Sequence, residues 1–276
     1  MRHAIMVIGT GDNASILQKA INYLDDRDID FFIHWDAKYN KPTVRSNYSK
    51  IIFIKQEKVN WGGSSLTFAE YRLLKAVFEY QRDYDYVHLI SSVDMPLMTK
   101  EYFKNYFTKD LYLGFLRDDL VDNDNKIQIR LKYFWPTDYI NARSKYGRLF
   151  IKLSRSFNQI LRIDRTKNKK IHIGKGSEWF SIKYNLIPKI INYNMDVFKH
   201  SICSDELYLQ TILNSYNPNI NMDDNEMAAR YIDWKRGQPY TFTIDDVEEL
   251  KRIVNTKYAF ARKIGDPEIV DRVFED

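Results

Sequence analysis

Apolar residues in the first third of the chain fall into short runs separated by polar segments. Four runs have strand length and are rich in Ile, Val or aromatic residues: residues 4–9, 30–34, 51–54 and 86–90. Between the first two runs, residues 15–24 show helical spacing. Between the last two, a second amphipathic helix is predicted by the spacing of Leu66, Ala69, Leu73, Val77 and Tyr80. Residues 62–65, Gly-Gly-Ser-Ser, are expected to supply its entry and cap.

Strands that alternate with helices predict an α/β fold with a mostly parallel central sheet flanked by helices. Such sheets bind ligands at the carboxyl ends of their strands, so the loops after His34 and Ile90 are the first places to search for a site. The second half of the chain is less regular: strands are expected at 111–115 and 178–182, and helices near 185–196, 204–214 and 245–254. With 276 residues and no internal repeat, the chain 1–276 is expected to form a single domain.

Composition narrows the class of protein. Hydrophobic residues make up 44% and aromatic residues 15% of the chain, which is enough for a core and argues against disorder. The sequence contains no run of about 18 apolar residues and no signal peptide, and its one cysteine, Cys203, fits a reducing compartment. We therefore expect a cytoplasmic protein in which Cys203 serves packing rather than chemistry.

One segment differs in charge from the rest. Residues 143–170 contain ten basic residues and one acidic residue, a net +9, which leaves −4 for the remainder of a chain whose total is +5. Inside it, an amphipathic helix is predicted by the spacing of Leu149, Leu153, Phe157 and Ile160. The ordinary interpretation is a helix packed on the core with a solvated basic face. The alternative is a helix that binds an anionic membrane surface.

Several catalytic motifs are absent. The sequence has no GxGxxG, no P-loop and no GxSxG elbow, and its five histidines show no metal-ligand spacing. A metal-dependent sugar transferase would need a carboxylate pair just after a strand. Asp83 and Asp85 precede their strand, and only Asp94 follows it. If the chain uses a nucleotide sugar, cationic side chains are expected to take the place of a metal.

Other local strings have ordinary explanations when each is taken alone. "FFIHWDAK" and "HLISSVDMPL" are strand ends followed by turns, and Trp179 in "KGSEWFSI" suits a core position in a strand. In "CSDELYLQTIL", Ser204 and Asp205 could merely cap a helix and Glu206 favour its dipole.

The order of the strings is more specific than any one of them. "VNWGGSSLTFAE", "HLISSVDMPL", "KGSEWFSI", "CSDELYLQTIL", "RYIDWKRGQPYTFT" and "YAFARKI" together resemble the core-2/I-branching β-1,6-N-acetylglucosaminyltransferase family, which includes peptide O-xylosyltransferases. The resemblance extends from about residue 4 to about residue 265 and suits a bacterial-type member without the stem and membrane anchor of Golgi enzymes. It implies a GT-A glycosyltransferase fold, which is Rossmann-like, and inverting transfer from a UDP-sugar without a metal.

The resemblance also implies residue roles. Glu206 in "SDE" matches the catalytic base of the family's "PDE" string, with Ser204 in place of the Pro. Lys263 matches a Lys that contacts the donor diphosphate, and Arg236 and Arg262 are the two candidates for the Arg beside it. The remaining donor-side candidates are Asp36, which matches a nucleoside contact, Asp94 and Trp61.

On the acceptor side, Trp234 in "IDW" matches an acceptor-contacting Trp, and further candidates are Glu178, Trp179, Arg130 and Lys132. Arg130 and Lys132 lie in a region that varies within the family. We expect a nucleotide-binding half at 1–98, and an acceptor-binding and catalytic half at 99–276.

The predicted function is metal-independent transfer of a sugar, with N-acetylglucosamine favoured, to a hydroxyl of a glycan or lipid-linked glycan in surface-polysaccharide or glycan biosynthesis. Xylose or another hexose as the transferred sugar, and a non-catalytic nucleotide- or glycan-binding protein, remain alternatives. A nucleic-acid partner is not expected, because the basic stretch carries no recognised motif. A retaining glycosidase is disfavoured by the resemblance.

Overall fold

The computed structural model describes residues 1–140, 142 and 144–275. Arg143, where the basic segment begins, lies outside the described residues. The strands in chain order are β1 (His3–Gly9), β2 (Ile29–Trp35), β3 (Ile51–Phe53), β4 (Tyr86–Ser91), β5 (Met95–Pro96), β6 (Leu111–Leu113), β7 (Phe180–Lys183), β8 (Arg230–Ile232) and β9 (Phe260–Arg262).

Within the described residues, six of these strands form the central sheet in the order β3-β2-β1-β4-β7-β6. Strands β1 to β4 are parallel, whereas β7 is antiparallel to both β4 and β6. The predicted α/β fold with a mostly parallel central sheet is confirmed. So are the four amino-terminal strands, to within one or two residues at each end.

Helices cover the sheet and connect its strands. They are α1 (Ser15–Leu24), α2 (Ser64–Glu79), α3 (Lys100–Tyr106), α4 (Asp118–Asn123), α5 (Asn125–Lys132), α6 (Lys145–Ile160), α7 (Ile187–Ile191), α8 (Tyr208–Ile212), α9 (Asp224–Ala228), α10 (Val247–Arg252) and α11 (Glu268–Phe274). The helices expected near 185–196, 204–214 and 245–254 are shorter than predicted, because 3₁₀ turns replace part of each.

The sheet is apolar on both faces. Side chains alternate along a strand, so Ala4 and Met6 of β1 enter one core cluster while Ile5 and Val7 enter the other. A central strand covered on both faces needs a continuous apolar run, which is why β1, β2 and β4 were visible in the sequence.

The side chain that caps the amino terminus of α2 comes from a distant part of the sequence. Gly63 occupies the N-cap position without a side-chain bond. Asp138 supplies the acceptors instead, since its carboxylate accepts the Ser65 N–H at 2.8 Å and the Ser64 hydroxyl at 2.5 Å. Residues 62–65 thus supply the entry to the helix and its N-cap residue, as expected, whereas the side-chain acceptor comes from Asp138. This contact ties the loop after α5 to α2.

A second sheet, which sequence patterns did not predict, lies beside the first. Its order is β5-β9-β8, and Met95 of β5 pairs with Ala261 of β9. Arg230 joins the two sheets: its guanidinium is fully buried and donates to the carbonyls of Phe180 at 2.5 Å and Leu89 at 3.2 Å. Burial lowers the pKa of this guanidinium to about 9, so it remains charged at neutral pH.

Helix α6 confirms the helix predicted in the basic segment but not its packing. The predicted apolar stripe does not face the core, because Leu149, Leu153, Phe157 and Ile160 are 56%, 59%, 61% and 76% exposed. The interpretation that this stripe packs on the core is wrong.

Candidate functional site

The carboxyl ends of β2 and β4 each carry a buried aspartate, as expected for ligand sites in such sheets. Asp36 follows β2, and its Oδ1 accepts the backbone N–H groups of Lys38 at 3.0 Å and Val59 at 3.3 Å. The Lys38 ammonium lies 3.2 Å from Oδ2 of the same side chain. Asp36 therefore fixes the loop at the end of β2.

Asp94, three residues after the end of β4, is fully buried. It accepts hydrogen bonds from the Ser91 N–H at 2.8 Å and the Ser91 hydroxyl at 2.5 Å. Its Oδ1 also lies 3.8 Å from Nε of Arg262, which comes from β9 in the second sheet. Asp94 thus orients a cation.

Arg262 lies between that carboxylate and an indole. Its guanidinium carbon is 3.6 Å from the centre of the Trp179 ring, a close cation–π stack. Both side chains are less than a tenth exposed, and Nη1 of Arg262 has no hydrogen-bond partner among the described residues. A buried guanidinium N–H without a partner is costly unless a ligand completes it, and phosphate oxygens suit such a donor.

Glu206 lies in a 3₁₀ turn, Ser204–Glu206, that precedes α8. Its Oε2 accepts a hydrogen bond from Nη1 of Arg130 at 2.7 Å and lies 3.6 Å from Nζ of Lys175. The Glu206 side chain is 38% exposed, so the carboxylate is both oriented by cations and reachable from solvent.

Neighbouring segments hold this turn in place. The Cys203 N–H donates to the Gly62 carbonyl at 2.9 Å, and the Gly176 N–H donates to the Glu206 carbonyl at 3.0 Å. A Cβ on Gly176 would lie 1.8 Å from the carbonyl oxygen of Gly114, so only glycine fits there. The "KG" of "KGSEWFSI" is thereby explained as a close backbone approach that brings Lys175 to Glu206.

Three further carboxyl groups belong to this cluster: Glu178 and Asp205 neighbour Glu206, and Glu70 neighbours Glu178 and Asp205. Burial, together with the neighbouring acidic groups, raises the pKa of Glu178 to about 8 and of Asp205 to about 7. Burial likewise raises the pKa of Glu70, which is fully enclosed on α2. The Glu70 carboxyl lies against the Glu178 carboxyl, and its removal from water favours the protonated form. The Tyr208 hydroxyl adjoins Glu70, and burial raises its pKa as well.

The structure brings some predicted site residues together. Arg130 meets Glu206, and Arg262 meets Asp94 and Trp179. Glu178 adjoins this group, but Glu178 and Trp179 precede β7 instead of lying within the strand as predicted. Trp61 lies in the loop beside the turn that carries Glu206, and its side chain is 51% exposed.

Other candidates lie apart or have different partners. Arg236 is paired with three carboxylates of the second-sheet region, namely Asp233, Asp246 and Glu249. Trp234 is 58% exposed just after β8. Lys263 directly follows Arg262 and is half-buried, and Lys132, also half-buried, ends α5.

Lys175, Asp205 and Glu70 were missed as site residues. Lys175 lies at the start of the string "KGSEWFSI", so the sequence contains a signal for this position. Asp205 has the sequence position of a helix cap, which hides its place in the site. Glu70 sits on a helix whose spacing predicts a core face, and nothing local marks a buried carboxyl there.

The candidate site lies away from two surface clefts of the described chain. One cleft lies at the edge of the sheet where β4 begins and β7 ends, near Asp85 and Lys183. The other lies between α10 and α11. Neither contains a predicted site residue. Among the described residues, no three His, Cys, Asp or Glu side chains are grouped so that they could hold a metal ion.

Comparison with known proteins identifies a family. The sequence model described as "Branch: Core-2/I-Branching enzyme" matches residues 4–254. No curated protein matches the chain.

Proposed function

The chain belongs to the Core-2/I-branching enzyme family and is therefore a glycosyltransferase with a GT-A-like fold, and from this premise we propose what it transfers and how. Members of the family are metal-independent and use UDP-sugar donors. The proposed reaction is inverting transfer of N-acetylglucosamine from UDP to a hydroxyl of a glycan or lipid-linked glycan, forming a β-linkage. The whole chain acts as one catalytic unit in surface-polysaccharide or glycan biosynthesis, in the cytoplasm.

The observation that carries the proposal is the setting of Glu206. Inversion needs a base on the face of the sugar opposite the leaving group. Glu206 is partly exposed, and Arg130 and Lys175 orient it. Glu178 and Asp205 have raised pKa values that suit protonated groups near neutral pH. Glu206 is the carboxyl of this cluster that cations orient and that solvent reaches, which suits the role of base.

The leaving UDP develops negative charge, which needs fixed positive groups. Arg262 offers its Nη1 donor from a buried position stacked on Trp179, and Lys263 follows it in the chain. Asp94 holds Arg262 in place. Between the two candidate arginines, the three carboxylate partners of Arg236 favour Arg262 as the diphosphate contact.

Exposed indoles suit the sugar acceptor, because aromatic faces stack on the apolar faces of sugar rings. Trp234, 58% exposed, is the proposed acceptor platform, and Trp61, 51% exposed, is proposed to stack on the donor sugar. Arg130 and Lys132 of α5 border the acceptor side. Asp36 is the proposed nucleoside contact at the end of β2.

The test is a panel of UDP-sugars incubated with purified protein in EDTA, with UDP release as the readout. Release that continues in EDTA with one donor identifies the transferred sugar, and the panel includes UDP-xylose, UDP-glucose and UDP-galactose beside UDP-N-acetylglucosamine. Glu206→Gln should lower turnover by about a hundredfold to ten-thousandfold, because the carboxamide cannot accept the proton.

Glu79→Gln, the same substitution on an exposed side chain at the end of α2, is the matched control and should leave turnover unchanged. Turnover that stops on chelation, or that survives Glu206→Gln, contradicts the mechanism. Binding of UDP without turnover of any donor supports a non-catalytic binding protein instead.

A further inference from the structure

Helix α6 has three distinct faces, each made by side chains spaced three or four residues apart. Toward the body of the protein lie Gly147, Ile151, Ser154 and Asn158, all buried or half-buried. A second, exposed face is basic: Lys145, Arg148, Lys152 and Arg155. The third is apolar, with side chains 43% to 85% exposed: Tyr146, Leu149, Phe150, Leu153, Phe157 and Ile160.

The contact between α6 and the protein body is polar. Oδ1 of Asn158 accepts the Phe134 N–H at 2.8 Å, and Nδ2 of Asn158 donates to the Phe134 carbonyl at 3.0 Å. The Ser154 hydroxyl donates to the same carbonyl at 3.0 Å. These bonds fix the rotation of the helix about its axis, so the apolar face points away from the core by construction.

A continuous exposed apolar face marks a surface that binds something. The charge beside it indicates what kind of partner. Helix α6 has four basic residues and no acidic one, and the chain that follows it adds Arg162, Arg165, Lys167, Lys169 and Lys170 against a single Asp164. A partner must therefore offer both an apolar layer and many negative charges, and an anionic lipid bilayer does so at its headgroup boundary.

The dimensions suit a helix that lies on the bilayer. Sixteen residues make a helix about 24 Å long, and α6 is too short and too charged to cross the hydrocarbon core. Across the described chain, no helix has the length and apolar character of a transmembrane span.

We propose that α6 is an interfacial helix that binds an anionic bilayer, with its apolar face between the headgroups and its basic face at the lipid phosphates. The helix is connected to the candidate site through the backbone. The Arg165 N–H donates to the carbonyl of Lys132, the last residue of α5, at 2.8 Å. Arg130 of α5 holds Glu206. On the proposed function, this coupling presents the base toward a glycan carried on a membrane lipid.

The test is flotation of the full-length protein with phosphatidylcholine vesicles, with and without phosphatidylglycerol. We expect binding to the anionic vesicles alone, weakened by high salt. Leu153→Ser with Phe157→Ser should abolish flotation, and Lys152→Gln with Arg155→Gln should weaken it by about fivefold for each charge removed. Leu120→Ser, at an exposed leucine of α4, is the control and should bind as the unmodified protein does.

Each outcome is decisive. Absence of flotation at low salt overturns the proposal, as does undiminished flotation of the Leu153→Ser, Phe157→Ser variant. A dimer that this variant converts to a monomer would assign the face to a second copy of the chain. Circular dichroism checks that the variants are folded. UDP-sugar turnover with a water-soluble acceptor should be unchanged in them, so failure of the proposed function shows separately from failure of membrane binding.

Discussion

The buried carboxyl of Glu178 has a measurable effect on stability. In the folded protein, burial and the neighbouring Asp205 raise its pKa from 4.5 to about 8, so the folded chain holds a proton that the unfolded chain releases. When the folded state binds more protons, the free energy of unfolding falls as pH rises between the two pKa values. Glu178→Gln replaces the acid with a neutral side chain of nearly the same shape and should remove this dependence.

The size follows from the shift. One proton difference changes the free energy of unfolding by about 1.4 kcal/mol per pH unit. Because the pKa in the folded protein is about 8, the free energy of unfolding falls less steeply as the pH approaches 8. Between pH 6 and pH 8 the free energy of unfolding of the unmodified protein should therefore fall by about 2 kcal/mol through this group. Over the same range, the stability of Glu178→Gln relative to the unmodified protein should rise by about 2 kcal/mol.

Urea unfolding at pH 6, 7 and 8 measures the effect, with the exposed Glu79→Gln as the matched control. Burial lowers the pKa of His3 to about 4 and also lowers the pKa of His88. Both groups make stability rise with pH up to about 6.5, the pKa of an unfolded histidine. They act equally in both proteins and cancel in the difference. If Glu178→Gln differs from the unmodified protein by the same amount at pH 6 and pH 8, the protonated-carboxyl argument is refuted.

Three further results are expected. Arg262→Met should weaken UDP binding, measured by calorimetry, by about tenfold to a hundredfold, since it removes a charged donor to phosphate. Arg236→Met should leave UDP binding unchanged. If Arg236→Met weakens binding and Arg262→Met does not, the diphosphate contact is Arg236. Gly176→Ala should cost about 3 kcal/mol in denaturant unfolding, because its Cβ would overlap the Gly114 carbonyl, and a variant of ordinary stability would contradict this packing. Burial raises the pKa of the Cys203 thiol to about 12, so Ellman's reagent at pH 8 should label it only after unfolding, and rapid labelling of the folded protein would disprove this.

The parts of the fold that sequence patterns predicted are those with long, regular signals. Strands β1, β2 and β4 are buried on both faces and appear as continuous apolar runs, and α1 was predicted at its observed bounds. The second sheet was missed because β5, β8 and β9 are two or three residues long, too short for any periodicity to register.

The site residues also divide into those that the sequence indicates and those that only the structure shows. Glu206 and Arg262 could be named from strings in a recognisable order, but the Arg130 contact with Glu206 joins residues far apart in sequence. The orientation of α6 was missed for a different reason. Helical spacing locates an apolar stripe without showing which face meets the protein, and here the polar side chain of Asn158 decides that.

Strand pairing in the second sheet also sets a condition on synthesis. Met95 emerges from the ribosome long before its partner Ala261, and Arg230 comes later than both strands of the central sheet that it joins. A nascent chain can therefore form the parallel sheet while Asp94 and Trp179 still lack the guanidinium of Arg262, which lies between them in the finished protein. The order of translation leaves this site open until β9 is made, and an interrupted chain is expected to carry an assembled sheet with no finished site.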